Sequence, residues 1–229
     1  MPTLRNEEPV FVLDLGDDEN RFHPDWLRTV NALLDTVLAS PGPAALVTTG
    51  SGKFYSNGID LDWLATHGDQ AERYVADLHA LLARLVAFPV PTVAAINGHA
   101  FGGGALLALA HDFRVMRADR GYFCFPEADI NIPFTPGMAA LVQSKLTPAA
   151  AMASMTTGRR FGGAAARETG LVDLAAAESE VLGLARERAG SLAGKDRGTL
   201  GAIKSTMFAA VLAALGPIVP APEPTTASD

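Results

Sequence analysis

Three adjacent glycines are the first feature of this chain with a clear chemical use. Gly102, Gly103 and Gly104 stand directly before an apolar run, residues 105–110, whose composition predicts a helix. Glycines leave their backbone N–H groups open to a ligand, and the start of a helix adds the positive end of its dipole. Such a turn can stabilise negative charge that develops on an oxygen atom.

Glu127 is the second such feature, because it combines a carboxyl group with apolar surroundings. It follows a predicted strand, residues 122–125, and its neighbours in sequence are Phe123, Phe125, Ile130, Ile132 and Phe134. Burial of a carboxyl raises its pKa, which suits it to act as a base near neutral pH. The glycine turn and this glutamate together predict an active site within residues 91–136.

Alternating strands and helices are predicted to position these residues. Thr92–Ile96 is an apolar, partly β-branched run that predicts a buried strand ending at the Asn97-Gly98 turn. Strands are also predicted at residues 10–15, 44–48 and 113–116, and helices at 24–38, 69–88, from 137, from 148, 180–192 and 199–215. Since strands alternate with helices, right-handed crossovers and a parallel sheet are expected, followed by a helical last third.

Composition limits the classes of protein to which the chain can belong. Its 229 residues are 48% hydrophobic and 19% charged, enough for one sizeable core, and its net charge of −7 argues against nucleic acid or an anionic membrane as partner. The single cysteine, Cys124, excludes an internal disulfide and favours a reducing cytoplasm. No signal segment, membrane span or metal-ligand spacing is evident, and the proline-rich residues 216–229 predict a disordered tail.

Three motifs in a fixed order give the chain its resemblance to a known family. FYSNGIDL stands at 54–61, INGHAFGGG at 96–104 and FPEADI at 125–130, with TGRRFGGAAARETGLVD at 157–173 as a fourth. The set resembles the crotonase (enoyl-CoA hydratase/isomerase) superfamily, and within it the monofunctional Δ3,Δ2-enoyl-CoA isomerases. The resemblance implies an α/β fold, a crotonase-like ββα superhelix with a C-terminal helical trimerisation region. It divides the chain into a catalytic core, 1–175, an oligomerisation region, 176–215, and the tail, 216–229.

The resemblance also assigns roles to individual residues. It implies that the backbone N–H groups of Ile59 and Gly103 hold the thioester carbonyl of an acyl-CoA while Glu127 moves a proton from C2 to C4. The implied substrate-binding residues are Ser56, Asn57, Gly58, Asp60, Leu61, Gly102, Leu106, Phe134 and Lys204, the last of which would meet a CoA phosphate. Plainer roles stay open for some of them: a surface turn for residues 56–58, a helix cap for Asp60, and a solvated helix position for Lys204.

One position separates the two main reactions of this superfamily. Hydratases that share the pattern carry a second glutamate just after the glycine run, where this chain has Leu106. Double-bond migration needs one carboxylate, whereas hydration needs a positioned water and a second proton-transfer group. An isomerase is therefore predicted, with a hydratase-like enzyme or a catalytically silent acyl-CoA-binding protein as alternatives.

Further expectations concern cofactors, partners and assembly. No cofactor is expected beyond the coenzyme A of the substrate, and the location is expected to be cytoplasmic. A homotrimer or a dimer of trimers is expected because the C-terminal third has apolar faces with little sheet left to cover them. The residues of these faces are Val181, Leu182, Leu184, Ile203, Met207, Phe208 and Val211.

Overall fold

The computed structural model describes residues 1–216, in which nine strands and eleven α-helices follow one another. The strands are β1 Thr3–Glu7, β2 Val10–Asp14, β3 Ala45–Thr49, β4 Phe54–Ser56, β5 Thr92–Ile96, β6 His99–Phe101, β7 Phe113–Arg117, β8 Phe123–Cys124 and β9 Leu174–Ala176. The helices are α1 Pro24–Ala39, α2 Leu61–Thr66, α3 Ala71–Val86, α4 Gly103–Ala110, α5 Glu127–Ile130, α6 Pro136–Lys145, α7 Pro148–Thr157, α8 Gly163–Thr169, α9 Glu178–Gly190, α10 Arg197–Met207 and α11 Ala209–Leu215.

Two sheets form the centre of the fold. The larger has six strands in the order β1-β2-β3-β5-β7-β9, and the smaller has three in the order β4-β6-β8. Only the β1–β2 pair of the larger sheet is antiparallel, and all three strands of the smaller sheet run parallel. The predicted parallel sheet is confirmed, although the predicted strands at 113–116 and 122–125 belong to different sheets.

The repeating unit is a strand of the large sheet, a strand of the small sheet and a helix. β3, β4 and α2 form one such unit, β5, β6 and α4 the next, and β7, β8 and α5 the third. The first turn of the superhelix follows the same path, because Arg21, between β2 and α1, pairs in parallel with Gly58 beyond the end of β4. The predicted ββα superhelix is therefore present.

Helices cover both faces of the large sheet, and this overturns one argument made from the sequence. Alternate residues of β2, β3, β5 and β7 pack against α9, with Val181 and Ala185 buried among them. Phe208 and Val211 are buried in the other core cluster. Most of the C-terminal apolar residues thus find partners within the chain. Ile203 and Met207 stay exposed, at 56% and 71%.

The predicted helix at 199–215 is wrong in its continuity. The chain bends by 75° between α10 and α11, and Phe208 at the bend is buried. The bend turns α11 onto α3 and α6, where its apolar residues are covered. Within residues 1–216 no single helix is long and apolar enough to cross a membrane; α10 and α11 reach that length and composition only as this bent pair. The tail predicted at 216–229 lies, apart from Gly216, outside the described residues.

Candidate active site

The candidate site lies at the carboxyl edge of the small sheet. β4, β6 and β8 run parallel with β6 in the middle, so their last residues meet at one edge. Ile59 follows the end of β4 by three residues, Gly103 follows β6 by two, and Glu127 follows β8 by three. Each strand therefore delivers one of the three predicted catalytic groups. Binding outside the carboxyl ends of parallel strands is a general property of α/β sheets.

The loop after β4 leaves one N–H group free. Asn57 N–H donates to Glu19 O at 2.8 Å, Gly58 N–H to Ser56 Oγ at 3.0 Å, and Asp60 N–H to the Tyr74 hydroxyl at 2.9 Å. The Ile59 N–H between them has no protein acceptor within residues 1–216. Gly103 N–H likewise has none in the described part of the chain, since Gly103 is the first residue of α4.

The directions of these two N–H groups are fixed by their own peptide planes. The carbonyl of a trans peptide points opposite to its N–H. Gly58 O, in the same peptide as Ile59 N–H, accepts from Phe22 N–H at 2.8 Å. Gly102 O, in the same peptide as Gly103 N–H, accepts from Leu106 N–H at 3.0 Å along α4. Both carbonyls are thus bonded to the protein on one side, and both N–H groups are available on the other.

Glycine is required where the two donor segments touch. A Cβ on Gly58 would lie 2.6 Å from Gly103 N, and a Cβ on Gly103 would lie 3.3 Å from Ile59 N and 2.9 Å from Phe22 Cε2. Gly58 also has a φ of +77°, which L side chains rarely adopt. Side chains at either position would separate the N–H groups. The close approach supports their acting together on one oxygen, the arrangement of an oxyanion hole.

Glu127 lies beside this pair of donors. A Cβ on Gly102 would be 3.5 Å from Glu127 Oε1, and Gly102, with φ of +49°, immediately precedes the Gly103 donor. Glu127 Oε2 is buried and has no hydrogen-bond partner within the described residues. Burial raises the pKa of this carboxyl from 4.5 to about 7. A carboxyl with that pKa can both accept and release a proton near neutrality.

The other residues predicted near the first donor have their side chains bonded within the protein. Ser56 Oγ donates to Asn20 O at 2.7 Å and accepts from Gly58 N–H. Asn57 Nδ2 donates to Glu19 Oε2 at 3.2 Å, and Asp60 Oδ1 caps α2 by accepting from Trp63 N–H at 3.1 Å. The structure brings these residues to the site and shows them shaping the loop.

Beside Asp60 the loop borders an open cleft of about 590 Å³. Its walls include Arg21, His23, Trp26 and Trp63. Arg21 is engaged in ion pairs with Glu19, Asp60 and Asp62. The cleft is large enough to take part of a ligand whose reacting end reaches the edge of the small sheet.

Three more of the predicted substrate-binding residues have apolar side chains. Leu61 begins α2 and is 41% exposed, whereas Leu106 in α4 is 1% exposed and belongs to the main core. Phe134 is partly buried and packs edge-on against Phe125, with ring centroids 5.6 Å apart. Phe134 therefore contributes to the apolar packing around Phe125, two residues before Glu127.

Lys204 does not belong to the site, and its predicted contact with a CoA phosphate is corrected. Its ammonium is buried and donates to Phe88 O at 2.8 Å, Val90 O at 2.9 Å and Asp112 Oδ2 at 2.6 Å. All three donor hydrogens are therefore used inside the protein. Asp112 also accepts from Thr92 N–H at the amino end of β5 in the large sheet, whereas the glycine turn follows the carboxyl end of β6 in the small sheet.

Two residues near the site have roles that the sequence did not indicate. Tyr74 of α3 bonds the loop through its hydroxyl, yet in the sequence it is one of several apolar positions on an amphipathic helix. His99 in β6 lies within 5.5 Å of the rings of Phe54, Phe101 and Tyr122, measured between centroids. Its ring contacts these aromatic residues rather than Glu127. No group of three potential metal ligands occurs within residues 1–216.

Comparison with known proteins gives a consistent result. The profile of the enoyl-CoA hydratase/isomerase family matches residues 6–217. The peroxisomal enoyl-CoA delta isomerase 2 of Arabidopsis thaliana is 40% identical over 189 residues, which cover 79% of each chain.

Solved structures of similar fold include two named as isomerases. An enoyl-CoA isomerase of Mycobacterium tuberculosis in its apo form superposes with a TM-score of 0.86 at 27% identity, covering 93% of each chain. The human mitochondrial Δ3-Δ2-enoyl-CoA isomerase gives a TM-score of 0.88 at 20% identity, covering 93% of this chain and 85% of that one, and shows the likeness of fold.

Proposed function

The chain belongs to the enoyl-CoA hydratase/isomerase family, and we propose that it is a Δ3,Δ2-enoyl-CoA isomerase of fatty acid metabolism. The observation that carries this proposal is the carboxyl of Glu127, whose buried Oε2 has no hydrogen-bond partner within residues 1–216, beside the N–H groups of Ile59 and Gly103, which have no acceptor there either. Relatives named enoyl-CoA delta isomerase, 34–40% identical over about three quarters of the chain, support it.

The reaction follows from what each group can do. The thioester carbonyl of a 3-enoyl-CoA accepts hydrogen bonds from Ile59 N–H and Gly103 N–H. Glu127 takes a proton from C2, the electron pair of the broken C–H bond delocalises onto the carbonyl oxygen, and a dienolate forms. Glu127 then gives the proton to C4, and the double bond moves to C2–C3. No atom is gained or lost, so the reaction needs no cofactor beyond the substrate's own coenzyme A.

The same geometry disfavours hydration. Addition of water to C2–C3 needs a group that activates the water and one that exchanges a proton with C2. At the position where hydratases of the family have their second glutamate, Leu106 is buried in the core at 1% exposure. A leucine there can neither accept nor donate a proton.

An assay of the purified protein tests the proposal. With a 3-enoyl-CoA substrate, the absorbance of the conjugated 2-enoyl thioester is expected to rise, with no formation of 3-hydroxyacyl-CoA. Chromatography of the products distinguishes the alternatives. Hydration of a supplied 2-enoyl-CoA at a comparable rate would indicate a hydratase, and acyl-CoA binding with neither product would indicate a silent binding protein.

We further propose that the protein assembles as a homotrimer or a dimer of trimers. Support comes from α10, whose exposed residues Ile203 and Met207 are spaced by four positions and so share one helix face. Light scattering on the intact chain is expected to give three or six times the mass of one chain. A monomer at micromolar concentration would contradict the proposal.

We also propose a cytoplasmic location. The free thiol of Cys124 is buried, and a reducing compartment is where unpaired cysteines are most common. A fluorescent fusion at each end of the chain in turn, imaged in the source cells, tests this. Accumulation in an organelle, such as the peroxisome named for two of the Arabidopsis relatives, would contradict it.

A further inference from the structure

The peptide bond after Ile59 is held by a side chain from a different helix. Asp60 N–H donates to the hydroxyl oxygen of Tyr74 at 2.9 Å. Tyr74 lies near the start of α3 and is 2% exposed. The hydroxyl thus contacts the residue that directly follows the first oxyanion donor.

Ile59 is held on both sides by hydrogen bonds to its two peptide planes. On its amino side, Gly58 O accepts from Phe22 N–H at 2.8 Å. On its carboxyl side, Ile59 O accepts from Leu61 N–H at 3.1 Å, and Asp60 N–H donates to Tyr74. The bonds from Phe22 and Leu61 come from backbone groups. The bond between Asp60 N–H and the Tyr74 hydroxyl is the one in this set that involves a side chain.

We propose that Tyr74 is a positioning residue for the reaction: by accepting from Asp60 N–H, its hydroxyl keeps the Ile59 N–H directed at the thioester oxygen. This inference rests on the proposed role of Ile59 as an oxyanion donor. The hydroxyl acts through the backbone and does not touch the substrate itself.

The surroundings of Tyr74 hold its hydroxyl in place and neutral. Its ring stacks on Trp63 with centroids 5.2 Å apart, and Trp63 N–H is bonded to Asp60 Oδ1, so α2, α3 and the loop form one connected unit. Burial raises the pKa of the Tyr74 phenol to about 12. The hydroxyl therefore stays neutral near pH 7, and its oxygen accepts from the Asp60 N–H without placing a buried charge beside the loop.

Loss of this hydrogen bond is expected to affect the transition state more than the bound substrate. Negative charge on the thioester oxygen is larger in the enolate-like transition state than in the ground state, so a misdirected donor lowers kcat more than it raises KM. Glu127 is unaffected by the change, so the pH midpoint of the rate is expected to stay where it is in the wild type.

Tyr74→Phe is the test, because it removes the hydroxyl and leaves the ring packed on Trp63. Tyr55→Phe is the matched control: Tyr55 is fully buried, and its hydroxyl bonds the Thr48 side chain at 2.7 Å rather than the loop. Both variants and the wild type are compared in kcat, KM, unfolding midpoint and the infrared stretching frequency of the thioester carbonyl in a bound, non-reacting acyl-CoA. A donor directed at the oxygen lowers that frequency.

For Tyr74→Phe we expect kcat to fall by roughly fivefold to tenfold, the change that one hydrogen bond supports, with KM within about twofold. The carbonyl frequency should move back toward its value in free acyl-CoA. For Tyr55→Phe we expect a lower unfolding midpoint with the carbonyl frequency of the wild type.

A carbonyl frequency in Tyr74→Phe equal to that of the wild type would overturn the inference, whatever happens to kcat. Equal kcat losses in the two variants would overturn it too, because they would indicate a general effect of losing a buried hydroxyl. The infrared measurement does not depend on turnover. A wild type that polarises the carbonyl through Tyr74 but does not isomerise 3-enoyl-CoA would therefore refute the proposed function and leave this inference standing.

Discussion

Replacement of Glu127 by glutamine should separate the catalytic and the energetic consequences of burying this carboxyl. Glutamine keeps the volume and the position at the start of α5 but cannot accept a proton from C2. We expect turnover of 3-enoyl-CoA to fall to well below a tenth of the wild-type value while the acyl-CoA still binds. In the wild type, kcat/KM should rise as the pH increases through about 7, the pKa to which burial raises Glu127 in the free enzyme, because the basic form is the carboxylate.

The same pKa predicts a pH-dependent difference in stability. The folded-state pKa of about 7 lies above the ordinary 4.5, so the folded state retains a proton that the unfolded state has lost. Between these two values the wild type is progressively destabilised as the pH rises, and above 7 the full cost of the buried charge is present. A shift of that size corresponds to roughly 3 kcal/mol. Glu127→Gln has no ionisable group at this position, so its stability lacks this pH-dependent contribution.

Chemical denaturation of both proteins at several pH values gives the measurement. Any cost of burying the glutamine amide is the same at every pH. The pH dependence of the difference in unfolding free energy between the two proteins therefore reports the ionisation of the Glu127 carboxyl alone. From pH 4.5 to pH 8 this difference should shift in favour of Glu127→Gln by up to about 3 kcal/mol. Asp129→Asn, on the same short helix, is the control and should retain turnover. Two results would refute the reasoning: turnover above about a tenth of wild type, or a difference that does not vary with pH.

Three other changes test separate parts of the structure. Gly103→Ala should lower kcat by about 10²-fold, because the new methyl group would push the two proposed oxyanion donors apart. Gly183→Ala, whose methyl group would extend from α9 into open space, should change turnover little. Lys204→Met should lower the free energy of unfolding by roughly 3–5 kcal/mol, because Asp112 and two backbone carbonyls lose the ammonium that donates to them. KM for the acyl-CoA should stay unchanged, and a raised KM would support the contact with a CoA phosphate after all. Leu106→Glu should lower the melting temperature and add modest hydratase activity without abolishing isomerisation. A folded variant that isomerises but forms no 3-hydroxyacyl-CoA would show that the missing glutamate alone does not separate the two reactions.

The residues of the candidate site could be identified from the sequence more readily than the sheet that positions them. Glycines and a glutamate in apolar surroundings have few other uses, so the segment from Gly102 to Glu127 could be recognised from residue types. The strands β4, β6 and β8 are only two or three residues long. Such strands are too short to show an alternating pattern, so residue patterns alone do not predict that they pair into a separate sheet.

Two of the errors have the same physical origin. The resemblance assigned Lys204 to a CoA phosphate, and the pattern of its helix offered a solvated position as the alternative, so both interpretations placed the ammonium at the surface. The apolar residues of α9 were assigned an external partner from the pattern of one helix. The structure supplies partners from distant parts of the chain: two carbonyls and Asp112 for Lys204, and the second face of the large sheet for Val181. Contacts between residues so far apart in sequence leave no local pattern by which to predict them.

The arrangement of donors and base explains why so few side chains of the site are chemically reactive. In the proposed reaction, both groups that stabilise the enolate oxygen are backbone N–H groups. Their directions are fixed because the carbonyls of the same two peptides accept from Phe22 N–H and Leu106 N–H. Such donors need no side chain, but they require glycine where the chains meet, and that requirement is what the sequence displays. Proton transfer is then left to one carboxyl. Where a hydratase of the family has its second glutamate, this chain has the buried Leu106. The described part of the site therefore offers one carboxyl for proton transfer, and moving a proton between two carbons of one substrate is a reaction that a single base can complete.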